Sequence, residues 1–462
     1  MSFRAVRAVT VGIFLCALAG SVAHSAAVPL FHSADEVGHF DYAYQVWHGH
    51  LPDFYTGIVI NQLKGSTMPV QWVSQHPPLF YLLLAPIIGP LTDSGHVLIA
   101  GTLTRVVNIL IGSAVPLATI WSVRRAFPGR TTVSLLAGMV VATSPWLHGV
   151  SGAIYNDALA ALLATLLLGI AGGALRRETT RGAWVRFIAL ASAAMLCRLA
   201  LMVIVAACTG AMVLATLRSE KGTPARAFGG LVATGATILL TSGWFYWHNL
   251  QVSGTATGVH SDWAIENLGR QTLTVWEVVA SPSAWMQLLG LFWNTAFPKW
   301  QGFLLLIVPC SLGALTLVRR ALHHQIAART GSVIALWSLT ALGVIAMQIK
   351  YAMGGGALNP RYILPLILPV AALMACGLLS LPRFGPGLTC IWVVATALLT
   401  IEWSGLSSTA PADDFANSPS VSVGATVIYV AVLGATTLAV VASLARASFR
   451  AGAASGDTMR RI

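Results

Sequence analysis

Charge is what this chain has least of: only 9% of its 462 residues are charged, and just 15 are acidic. Soluble domains carry roughly a quarter charged residues, so a chain that is 56% hydrophobic with positive mean hydropathy falls outside that class. Cysteine is scarce as well. The six cysteines (Cys16, Cys197, Cys208, Cys310, Cys376, Cys390) sit inside apolar stretches and form no CxxC or Cys/His spacing, so they read as small packing residues. There is no glycine-rich phosphate loop, no HExxH and no Ser/His/Asp order, which leaves nucleotide hydrolysis without support. The formal charge of +12 comes from short basic clusters between apolar runs rather than a stripe interleaved with aromatics. That pattern makes the lipid bilayer, and no nucleic acid, the expected partner.

What the chain does have is apolar length. Runs suited to crossing a bilayer cover residues 6–28, 98–123, 131–149, 156–175, 184–198, 199–217, 228–249, 301–318, 331–350, 361–380, 387–403 and 422–445. The expectation is an all-α polytopic membrane protein of about 12 transmembrane helices, folded as one integral-membrane domain over residues 1–462. The long stretch 184–217 is divided at Arg198. Residues 78–91 are too few to span and are interrupted by proline, which predicts a re-entrant or interfacial segment. If that segment does not cross, the clusters around Arg124, Arg176, Arg218, Arg319 and Arg446 all share a side with Arg4 and Arg7, as the positive-inside rule requires. Both termini are then cytoplasmic in a plasma-membrane protein. The outer face receives loops 29–97 and 250–300, carrying short helices, and a last loop 404–420 with Asp413-Asp414. Arg4, Arg7 and the small residues Ala23 to Ala26 also describe a secretory signal, but the apolar run reaches about Pro29 and favours a retained helix.

The unusual polar residues gather on that outer face. Ser33-Ala34-Asp35-Glu36-Val37-Gly38-His39-Phe40-Asp41 concentrates three of the acids with a histidine just past the first span, and His76-Pro77-Pro78 closes the same loop. Two adjacent carboxylates repel and serve poorly as a membrane anchor, which points to function. Tyr155-Asn156-Asp157 opens a span, where Asn156 and Asp157 equally suit a helix cap and first turn. His248-Asn249 ends another span, and Lys350 with Arg361-Tyr362 bounds a third turn. A carboxylate in such a crown suits a general base, and Arg, Lys or His suits an anionic phosphate. A positive charge at the start of a span, as at Arg361, opposes the helix dipole and has either such a ligand or a lipid phosphate to offset it. Arg105 and Arg198 lie within apolar stretches, where each needs a partner or a cavity. Trp263, Trp276, Trp285, Trp293 and Trp300 in and beside the second loop read mostly as an interfacial belt, a minority being available to stack on a sugar.

In order and on one face, these pieces resemble the C-superfamily membrane glycosyltransferases, in particular bacterial relatives of the dolichyl-phosphate-mannose protein mannosyltransferases (family 39-like). The elements that match are Asp35-Glu36-Val37-Gly38-His39-Phe40, Gln75-His76-Pro77-Pro78-Leu79-Phe80-Tyr81, Tyr155-Asn156-Asp157-Ala158-Leu159, Trp247-His248-Asn249-Leu250 and Pro360-Arg361-Tyr362-Ile363-Leu364-Pro365. The resemblance implies a C-type fold and an enzyme, a hexosyl- or pentosyltransferase, that takes its sugar from a polyprenyl-phosphate donor. The acceptor is a glycan, lipid or protein, and transfer occurs at the outer face with inversion. It implies Asp35 and Glu36 as the catalytic pair, His39, His76, Tyr155, Asn156, Asp157, His248 and Asn249 around the substrates, and Lys350, Arg361 and Tyr362 at the phosphate. A divalent cation is a possible cofactor, with Asp35, Glu36, His39 and Asp157 as candidate ligands. The chain departs from the mannosyltransferases in having Phe80-Tyr81 without a following Gly-Lys pair and no large C-terminal outer domain. The competing class is a transporter or flippase for a lipid-linked or amphipathic substrate, which would place its ionisable groups near the bilayer midplane and often show an inverted repeat.

Overall fold

The computed structural model describes residues 2–177, 179–220, 222–292, 299–381, 384–403 and 424–442. Trp293, Asp413-Asp414 and Arg446 lie outside the described residues. Among those described, every regular element is helical. The order begins with α1 (Phe3–Ala27), α2 (Glu36–Trp47), α3 (Leu79–Asp93), α4 (Val97–Ala126), α5 (Thr131–Ala142), α6 (Pro145–Ser151), α7 (Asp157–Arg176) and α8 (Arg181–Cys197). It continues with α9 (Met202–Leu217), α10 (Pro224–Ile238), α11 (Trp244–Ser253), α12 (Ser261–Leu268), α13 (Val275–Val279) and α14 (Pro282–Leu288). The last are α15 (Lys299–Leu322), α16 (Ala328–Met353), α17 (Ile367–Leu378), α18 (Gly385–Trp403) and α19 (Gly424–Ala442).

Nine helices among the described residues are long and apolar enough to cross a bilayer, or up to ten if the bent pair α5–α6 counts as one. The chain is a multi-pass membrane protein. Two of the twelve expected runs have local reasons for standing outside that count. Ser144 caps α6 through its side chain and Pro145 opens it, so the run 131–149 bends by 59° instead of continuing. Residues 184–197 lie in the 17-residue α8, shorter than any of the nine, and Arg198 ends it. The segment 78–91 forms the 15-residue α3, which packs on α2 and α4 and is too short for a span.

The α7 helix, the most buried of the candidate spans, lies at the centre against α4, α8, α9 and the 3₁₀ turn Pro360–Leu366. Its Ala- and Gly-rich sequence allows this close approach: a Cβ at Gly169 would meet Ser122 Oγ on α4 at 2.1 Å. The α15–α17 contact brings backbone to backbone: a Cβ at Gly377 would stand 1.9 Å from the carbonyl of Pro309 and one at Gly313 would stand 2.2 Å from that of Leu373. Backbone against backbone leaves no side chain free to yield. Gly377→Val is therefore expected to separate α15 from α17 at a cost of at least about 1–3 kcal/mol, read as a lower unfolding temperature in detergent; unchanged stability would contradict the packing.

Candidate active site

The helix breaks bring the functional side chains together. At the end of α1 the chain turns through Asp35, whose φ of +65° is left-handed, into α2. This reversal sends the two adjacent carboxylates to different surroundings. Glu36 is completely buried and accepts four hydrogen bonds: Arg105 Nε at 2.7 Å, Arg105 Nη2 at 2.8 Å, Phe31 N at 3.0 Å and Ile154 N at 3.1 Å. Arg105 also donates to the carbonyls of Ser25, Val28 and Pro29, satisfying groups at the end of α1. The Glu36 carboxylate thus joins the end of α1, the start of α2, the first third of α4 and the segment before α7. Asp41 does similar work one turn on, accepting from Val59 N, Ile60 N, Gln45 Nε2 and Gln71 Nε2, and so ties the outer loop to α2.

Arg198 marks a second break. Its backbone is extended between α8 and the 3₁₀ turn Leu199–Leu201, and the carbonyls released there accept from Tyr246 Oη (Met195 O, 2.6 Å) and Asn156 Nδ2 (Cys197 O, 3.4 Å). Its guanidinium pairs with Asp157 in the first turn of α7. A third break opens the turn Pro360–Leu366. Asn359 caps it by accepting from Arg361 N, and Pro365 denies it a full set of α-helical bonds. Arg361 pairs with Asp35.

These ends surround a cavity of about 490 Å³. Of the sequence-predicted residues, Asp35, His39, His76, Asp157, Lys350, Arg361 and Tyr362 line it. Tyr155 stands behind, its ring 5.1 Å from the Arg361 guanidinium and 5.4 Å from the His39 ring, while Asn156 is buried against Cys197 and makes no side-chain cap. Glu36 does not reach the cavity. Neither do His248 and Asn249, which line an adjoining cavity of about 110 Å³ that shares the wall residues Gln75 and His260. Sequence reasoning left Arg198 unassigned and missed Arg270 and Tyr351, which also line the main cavity. Arg198 carried a signal, a charge inside an apolar run; Arg270 sits in a loop where an arginine is unremarkable.

The cavity is electropositive: Arg198, Arg270, Lys350 and Arg361 face only two carboxylates, Asp35 and Asp157. Both carboxylates are paired with arginine, and neither Arg270 nor Lys350 has an ion-pair partner among the described residues. Such a site suits an anion. The candidate metal ligands do not converge, because Glu36 is turned to Arg105, Asp157 to Arg198 and Asp35 to Arg361. Among the described residues no group of three His, Cys, Asp or Glu side chains is placed to hold a metal.

His39 and His76 stack with parallel rings 5.9 Å apart, and His39 Nδ1 lies 2.9 Å from Tyr81 Oη. Burial holds both histidines well below the ordinary value of 6.5, and Arg361 and Arg198 push in the same direction.

No family model and no curated protein matches the sequence. Solved structures do. ArnT from Cupriavidus metallidurans bound to undecaprenyl phosphate aligns over 95% of this chain and 76% of its own, at 15% identity and a TM-score of 0.52. ArnT from the same organism in the apo state aligns over 92% and 75%, at 14% identity and a TM-score of 0.50. The archaeal oligosaccharyltransferase AglB from Archaeoglobus fulgidus covers 94% of this chain and 56% of its own, at 14% identity and a TM-score of 0.46. The chain has the C-type fold of the membrane glycosyltransferases that its motifs resemble.

Two outcomes follow from the site's construction. Arg105→Met leaves the Glu36 carboxylate buried without its counter-charge and should cost about 3–5 kcal/mol, seen as a lost or lowered unfolding transition; a wild-type transition would show that the clamp is dispensable. For the histidines, the folded state keeps both neutral while the unfolded chain protonates near 6.5, so the unfolded state binds more protons as pH falls. Their contribution is complete above that value and declines below it. The unfolding temperature should drop between about pH 7 and about pH 5.5, and His39→Gln should flatten the dependence.

Proposed function

We propose that this protein is a membrane glycosyltransferase that moves a hexose or pentose from a polyprenyl-phosphate donor to an acceptor hydroxyl on the extracytoplasmic face of the plasma membrane, with inversion. The observation that carries the reading is one cavity lined by a carboxylate, Asp35, paired with Arg361, and by the further cations Lys350 and Arg270. These are the two chemistries such a transfer requires. The carboxylate takes the acceptor's proton as its oxygen attacks the anomeric carbon. The cations hold the phosphate as it departs with the bonding electron pair and gains negative charge. Asp35 is the base, with Glu36 fixing the backbone beside it; Arg361, Lys350 and Tyr362 attend the phosphate. His39, His76 and Asp157 shape the sugar pocket, backed by Tyr155 and Asn156, and His248 and Asn249 flank the approach of a glycan, lipid or protein acceptor. The fold shared with ArnT supports the class of reaction. Ionisable groups at helix ends, such as Asp157 at the start of α7 and Lys350 at the end of α16, favour this enzyme over a carrier with a midplane site.

The test is Asp35→Asn in purified protein offered labelled polyprenyl-phosphate sugars. Transfer should fall by about 10²–10⁴-fold while membrane insertion and yield stay at wild-type level. Undiminished transfer removes Asp35 as the base, and passage of uncleaved donor across the membrane by the wild type would make the protein a carrier instead.

A further inference from the structure

Arg361 is held unlike Arg105. Arg105 spends its guanidinium on five hydrogen bonds, and those acceptors fix it in place. Arg361 donates through Nη2 to Asp35 and, at 3.5 Å, to Tyr362 Oη, whereas its buried Nε has no partner. What encloses it is aromatic. The Tyr155 ring lies 5.1 Å and the Tyr362 ring 5.3 Å from the centre of the guanidinium. Attraction to the face of a ring fixes a cation's height above it far more than its place across it. Asp35 is held as lightly: among the described residues its side chain has one polar partner, Arg361, where Glu36 and Asp41 each accept four hydrogen bonds.

We propose that Tyr155 and Tyr362 position Arg361 as an exchangeable partner, which pairs with Asp35 until a donor arrives and then passes to the donor's phosphate, leaving the Asp35 carboxylate free for the acceptor hydroxyl. This rests on the glycosyltransferase reading above. A guanidinium paired with a carboxylate favours its charged form over the protonated one, so the pair weakens the base in the absence of donor. The charges balance through the cycle. The bound donor is a phosphodiester with one negative charge. As the acceptor oxygen bonds to the anomeric carbon, its proton goes to Asp35, the bond from anomeric carbon to phosphate oxygen breaks, and the phosphate leaves with the electron pair as a monoester of charge −2. Asp35 becomes neutral at the moment the phosphate gains charge, and both changes drive Arg361 the same way. Loss of the Asp35 proton to water and departure of the polyprenyl phosphate restore the original pair. The donor therefore binds before the acceptor can react.

The exchange is measured with undecaprenyl phosphate as the probe, binding to the full chain in lipid nanodiscs, in a double-mutant cycle. Asp35→Asn removes the competitor for Arg361 and should tighten binding by about five- to ten-fold. In an Arg361→Gln background the same change should gain less than about two-fold. Tyr155→Leu or Tyr362→Leu should shrink the coupling between positions 35 and 361, and the corresponding Phe variants, which keep the ring face, should restore it. Asp35→Ser repeats the cycle should the Asn variant fold poorly. A gain at position 35 that persists undiminished without Arg361 is general charge repulsion and overturns the exchange, as does no gain at all. If wild type transfers sugar while the cycle is additive, only the exchange is wrong. Wild type that neither binds the probe nor transfers sugar removes the enzymatic reading and this inference with it.

Discussion

The site depends on one buried ion pair, Glu36 with Arg105. A carboxylate taken out of water is tolerated only when its charge and its lone pairs are answered, and here a guanidinium and two backbone N–H groups answer them. The same guanidinium answers three carbonyls at the end of α1. Two side chains thus close the polar accounts of three chain segments that lack regular hydrogen bonding where they meet. The direction in which Asp35 faces the cavity is a consequence of that closure.

The three arginine–carboxylate pairs form a graded series. Arg105–Glu36 is fully enclosed and extensively bonded, and it acts as scaffold. Arg198–Asp157 is almost as buried but borders the cavity and sits on a helix break, linking the start of α7 to the end of α8. Arg361–Asp35 is the most exposed of the three. Burial falls from the scaffold toward the reactants, and with it falls the cost of exchanging a partner.

Much of this was legible in the sequence because a membrane makes polar residues conspicuous. The crown of Asp35, His39, His76, Asp157, Lys350, Arg361 and Tyr362 stood out against an apolar background and does line one cavity. The break at Arg198 was legible for the same reason. Less legible was which way each side chain points. Neighbours in sequence look equivalent until the backbone is known, so Glu36 passed for a partner of Asp35, and His248 and Asn249 for members of the same pocket. Hydropathy also does not show bends: the pair α5–α6 has the composition of one span without its straight length.

The left-handed backbone at Asp35 narrows the choice of residue there to one. Glycine and asparagine accept that conformation readily but bring no carboxylate, and glutamate brings the carboxylate on a longer side chain without the same tolerance for positive φ. Aspartate alone satisfies both demands. The turn also uncouples the two halves of the acidic pair, so that position 35 answers to the reactants and position 36 to the architecture, although a single peptide bond separates them.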